Sequence, residues 1–122
     1  MATSEKEVRV FERNLRKLQN KLNAYYSRIQ TIYDSMTKLE TSVQIDTFMS
    51  NASTVDIIRS DFVRILDERN DLIILNSDTM EPGYESLSAF EELYACIKFK
   101  VSKMSEPLHS SSSDVLTKAT KT

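Results

Sequence analysis

From Val8 to Leu39 apolar side chains fall three and then four residues apart without a break. The series is Val8, Phe11, Leu15, Leu18, Leu22, Tyr25, Ile29, Ile32, Met36 and Leu39. Its average spacing of 3.5 residues is the signature of helices that wind around one another. Within that stretch only Val10, Ala24, Tyr26 and Tyr33 are apolar outside the register. The pattern demands a long helix with one sticky seam. It speaks of association and carries no chemistry.

Composition agrees with a helical reading. One glycine and two prolines in 122 residues leave few places where a helix must stop. A chain of this length makes one domain with a modest core, close to the size at which partners help. The expected architecture is all-α, a three-helix antiparallel bundle or coiled coil with a long first helix. Residues 1–105 form that domain, and residues 106–122, rich in Ser, Thr and Lys, are expected to be a disordered tail.

The first helix is expected over residues 4–40, opened by Ser4 and Glu7 as a Ser-x-x-Glu capping box. At 1.5 Å per residue that is a rod of roughly 55 Å. Residues 41–53 read as a connection that keeps some helical turns, because β-branched and polar residues accumulate there without a Gly or Pro. The second helix is expected over 54–75, with the seam Val55, Ile58, Phe62, Ile65 and Leu72 and with Arg69 in the slot between. There Arg69 either snorkels toward a carboxylate such as Asp34 or sets register and partner choice. After the turn residues 76–83, which include Pro82-Gly83, a third helix is expected over 84–104. Its seam is Leu87, Phe90, Tyr94, Ile97, Val101 and Met104.

Charge is segregated along the chain. Residues 1–40 hold eight Lys or Arg against five Asp or Glu, a balance of +3. Residues 41–96 carry -8, and residues 97–122 carry +3. A basic helix lying against acidic ones is the plainer expectation, and an external partner for the basic segment is the other. A single cysteine, Cys96, cannot form an internal disulfide. No stretch has the order of a signal peptide or the ~20 apolar residues of a membrane span. An intracellular and cytoplasmic location is therefore expected.

The catalytic inventory is thin, and no enzyme, cofactor or metal is expected. His109 has no carboxylate or nucleophile near it in sequence, and Cys96 beside the third seam reads as a half-buried, inert thiol. No Cys and His stand at ligand spacing, and Asp67, Glu68 and Asp71 splay around a helix as solvated groups. Without glycine there is no phosphate-cradling loop. The self-association surface is expected at Val8, Phe11, Leu15, Leu18, Leu22, Tyr25, Ile29 and Ile32. With Val8 at heptad position a, Arg9, Arg13, Arg16 and Lys17 fall at b, f, b and c, away from the seam. This stripe of ~12 Å is a candidate for tracking phosphates, although every coiled coil shows a charged outer face and no aromatics interleave here for base stacking.

Two segments carry a resemblance. SAFEELYACIKFKVSKM, residues 88–104, has a Phe-Glu-x-x-Tyr-like core followed by alternating apolar and Lys residues. IRSDFVRILDERN, residues 58–70, is a helix in which apolar residues punctuate a charged sequence. Together, and in the order long helix, central helix, turn, Phe-Glu-x-x-Tyr helix, residues 8–104 resemble the N-terminal, gag-like helical domain of Bel/Pao-type LTR retrotransposon polyproteins. The resemblance implies a structural role for Phe90, Glu91 and Tyr94. Family domains of this kind are followed by further gag sequence, often a zinc knuckle, then protease, reverse transcriptase and integrase. It thus implies a retrotransposon fragment or a host-adopted remnant whose task is association in particle assembly. The other expectation is a small coiled-coil subunit of a host trafficking or cytoskeletal complex, its seam receiving a different helical protein.

Overall fold

The computed structural model describes residues 4–105, and the expected tail and His109 lie outside them. Three long helices and one short one make up the fold, with no strand among the described residues. They are α1 (Glu5–Met36), α2 (Ser42–Ala52), α3 (Val55–Asn76) and α4 (Glu85–Ser105).

Helix α1 opens where the capping box requires. Ser4 accepts from the Glu7 amide at 3.1 Å and the Glu7 carboxylate returns a bond to the Ser4 amide at 3.0 Å. It ends at Met36, four residues before the expected boundary. Two hydroxyls loosen that end, Ser35 donating to the Ile32 carbonyl and Thr37 to the Asp34 carbonyl, each at 2.7 Å. A second capping box then restarts the chain: Thr41 caps the Gln44 amide, and the Gln44 side chain accepts from the amides of Thr41 and Glu40. The segment read as a connection is therefore a helix in its own right. Phe48 and Ala52 anchor α2 in the core.

Helix α3 packs along α1, the helix that meets all three others. It runs antiparallel to α1, so Leu18 lies beside Leu72 and Ile32 beside Thr54. It also runs antiparallel to α4, with Tyr84 bonded to Asp67 at one end and Lys98 to Asp56 at the other. Contact on two sides explains why α3 buries more than its expected seam. Val55, Ile58, Phe62 and Ile65 are buried as the spacing predicts, and Leu66, Asn70 and Ile73 are buried as well. On α4 the expected seam also faces inward, with Phe90 and Ile97 fully buried.

The centre of the core is aromatic. Phe62 stacks on Phe90 at 4.2 Å between centroids and 16° between planes, and Tyr26 of α1 meets the edge of Phe90 at 6.2 Å. Beyond the rings, Arg59 makes a bidentate bond to Glu91 at 2.6 and 2.7 Å, and the Tyr94 hydroxyl donates to Asp56 at 2.6 Å. Asn70 closes the other end. Its amide donates to the Gly83 carbonyl at 2.9 Å and its oxygen accepts from the Gly83 amide at 3.2 Å, clamping the turn before α4.

Arg69 does not reach the carboxylate its seam position suggested. It donates to the Asn70 oxygen at 2.8 Å while its Nε is buried without a hydrogen-bond partner. The expected electrostatic docking of α1 is also absent. Among the described residues no ion pair joins α1 to another helix, although Lys17 and Lys21 border a recess with Glu68 and Leu72 of α3.

Replacing Phe90 with Ala should cost about 3–5 kcal/mol, since the ring is fully enclosed and its stacking partner would line a void. Urea denaturation read by circular dichroism checks this. A change under about 1 kcal/mol would mean that the α3–α4 contact is not central to stability.

Candidate interaction surface

The seam of α1 is covered unevenly, and the levels of the helices explain why. Helix α4 runs parallel to α1 with Phe90 beside Tyr26. Its first residue, Glu85, therefore stands about level with Lys21. Below that level α1 has α3 on one side and α4 on the other. Above it, roughly four turns of α1 lie beside the end of α3 and the turn residues Asn76, Ser77 and Asp78, with no part of α4 against them.

Burial follows this step. Leu22, Ile29 and Ile32 are 6%, 0% and 6% exposed and belong to the molecule's own core, with Tyr25 half-buried beside them. These side chains are not an outer contact surface, because α3 and α4 already cover them. Leu18, Leu15 and Phe11 are half-buried, and Val8 is 40% exposed. The expected interface thus divides into an inner half that is core and an outer half that remains open.

Two residues outside the expected set complete the open end. Ile74 is 63% and Leu75 81% exposed at the end of α3, and both share a recess with Val8 and Phe11. Ile74 is seven residues beyond Asp67, the partner of Tyr84, so it lies on the side of α3 that faces α4 lower down. There α4 has not yet begun, and the turn residues Asn76, Ser77 and Asp78 line the recess in its place. A signal for these residues was present in the run Leu72-Ile73-Ile74-Leu75, since four consecutive apolar residues on a helix cannot all face one core.

Charges frame this end. Glu5, Arg9, Glu12 and Arg16 run along one flank of the seam in alternating sign, and Arg9 pairs with Glu5 at 3.2 Å while remaining well exposed. Arg13, Arg16 and Lys17 are exposed, with no ion-pair partner among the described residues. They share the outer face that the heptad register assigned to them.

The residues carrying the gag-like resemblance meet one another. Phe90, Glu91 and Tyr94 of one segment engage Phe62, Arg59 and Asp56 on α3, so their role in this chain is to join α3 to α4. Cys96 is exposed on α4, contrary to the half-buried position expected for it. Among the described residues no three His, Cys, Asp or Glu side chains converge as metal ligands, and no helix is long and apolar enough to cross a membrane. Comparison with known proteins finds no matching family model, curated protein or solved structure.

The α3–α4 bonds make stability depend on acid. The Arg59 guanidinium holds the Glu91 carboxyl below its ordinary 4.5, and the Tyr94 hydroxyl, followed by Lys98, holds Asp56 below its ordinary 3.8. A depressed folded value contributes stability that is complete above the unfolded value and lost as pH falls through the folded one. Stability should therefore decline as pH drops below about 4.5, where Glu91 is the first of the two to respond. The Glu91→Gln variant should start less stable at neutral pH and lose less on acidification. Denaturation midpoints from pH 7 to 3 measure this, and parallel curves for the two proteins would contradict it.

Proposed function

We propose that this chain is a non-enzymatic helical association module whose partner, bound at the open end of α1 and α3, is a second copy of itself. The observation that carries the reading is the recess where exposed Val8, Ile74 and Leu75 meet half-buried Phe11, continued along α1 by half-buried Leu15. Half-covered apolar residues in a row several turns long mark contact sites, because water stays against surface that a neighbouring helix would remove from it.

The flanking charges favour a second, antiparallel copy over an unrelated helix. Along Glu5, Arg9, Glu12 and Arg16 the signs read minus, plus, minus, plus, and reversed they read plus, minus, plus, minus. An antiparallel copy therefore meets opposite charge at each step. The Glu5–Arg9 pair is too exposed to resist exchanging partners. A two-fold contact of this kind is closed, so each open end covers the other. The gag-like resemblance supports the same reading at the level of biology, as an assembly element of a retrotransposon fragment or host-adopted remnant.

The test is sedimentation equilibrium of the chain and of a Val8→Glu, Ile74→Glu double variant. Both positions are exposed, so the variant keeps its fold, which circular dichroism verifies. The expected result is a species of twice the 14.0 kDa chain mass for the wild type and a shift of at least about tenfold toward monomer in the variant. A wild type that stays monomeric at about 100 µM overturns self-association. So does a dimer that the two glutamates leave intact.

A further inference from the structure

The outer face of α1 is charged in a way the bundle does not use. From Arg13 to Tyr33 the helix holds five cations and no Asp or Glu. Arg13, Lys17 and Lys21 follow one another four residues apart, and Arg28 lies seven beyond Lys21, so the four share one ridge. All four are exposed.

Such a ridge opposes helix stability. Like charges at i,i+4 repel by roughly 0.2–0.5 kcal/mol per pair, and a face that needs only solubility relieves this with acids between the cations. Helix α3 does so, with Asp61 and Glu68 both bonded to Arg64. The ridge of α1 does not. No hydrogen bond or ion pair among the described residues engages Arg13, Lys17, Lys21 or Arg28. Glu68 borders the recess that Lys17 and Lys21 line, but Arg64 already holds it at 3.1 Å. Beside the cations lie Asn20, Ser27 and Thr31, neutral polar groups over which an extended anion can lie flat.

We propose that this ridge binds the sugar-phosphate backbone of a nucleic acid, as a site separate from the self-association end. Arg13, Lys17 and Lys21 rise ~6 Å apart and Arg28 ~10.5 Å further, while phosphates on one strand of a duplex rise about 3.4 Å, so the ridge meets about every second phosphate and then skips to the third. An acidic protein fits less well, since this face offers no apolar or aromatic anchor to bury. An anionic membrane fits less well too, because from Leu18 onward the apolar side of this helix is committed to the bundle and cannot enter lipid. With no aromatic side chain on the ridge, binding reads charge and not bases.

Fluorescence anisotropy with a labelled mixed-sequence RNA strand and a DNA duplex, each about 20 nucleotides long, tests the assignment as salt rises from about 50 to 200 mM. Four phosphate contacts give a log–log salt slope of about -3 on the single strand and slightly steeper on the duplex, a loss of about fiftyfold or more over that range. The Arg13→Gln, Lys17→Gln, Lys21→Gln variant should reduce the slope to about -1, while Arg13→Lys, Lys17→Arg, Lys21→Arg should leave it in place. RNA binding without DNA binding, or the reverse, identifies the source of the phosphates and supports the site. Absence of binding to both at about 50 mM salt overturns it. Equal competition by polyglutamate, or full binding by the glutamine variant, overturns it as well.

Discussion

Phe62 and Phe90 stack with their centroids 4.2 Å apart, and that contact decides how far along α1 the last helix begins. Slide α4 along α3 and the ring loses its partner, the Arg59–Glu91 bonds separate and Asn70 releases Gly83. These interactions are spread over α3 from Asp56 to Asn70, so they fix one register between the two helices. Because Tyr26 packs on the same Phe90, the register extends to α1. The open end is a consequence. It exists because a helix of 21 residues is held at the lower part of one of 32.

This register gives the two faces of α1 different fates. The seam is core wherever α3 and α4 both reach it and open wherever only α3 does. The opposite face carries cations that no other helix pairs with, while Asp56, Asp61, Asp67, Glu68 and Glu91 are engaged with Arg64, Arg59, Lys98 and the tyrosines. Segregated charge along the chain therefore forms no ion pair between α1 and another helix among the described residues. What holds α1 in place is apolar area, which salt does not screen, and its basic surface stays available.

Much of the fold is legible in the residues. The 3.5-residue spacing places all three long helices, the Ser4–Glu7 box opens the first, and the seams of α3 and α4 face inward as their periodicity requires. The missed element, α2, had its own signal in Thr41-x-x-Gln44, which forms the same kind of box as Ser4-x-x-Glu7. Low helix propensity across residues 41–53 obscured it, because propensity is a weak prior beside a satisfied cap and a buried Phe48. The role of Asn70 was not legible, since its partner is a turn backbone thirteen residues away.

Periodicity by itself determined that α1 has one apolar stripe and one basic face, because side-chain direction on a helix follows from residue number alone. It treated Val8 and Ile29 as equal members of one seam. Only the packing separated them, exposing the first by 40% and burying the second completely. The reason is that coverage depends on the level at which a neighbouring helix starts, and that level is set by contacts between residues far apart in the chain.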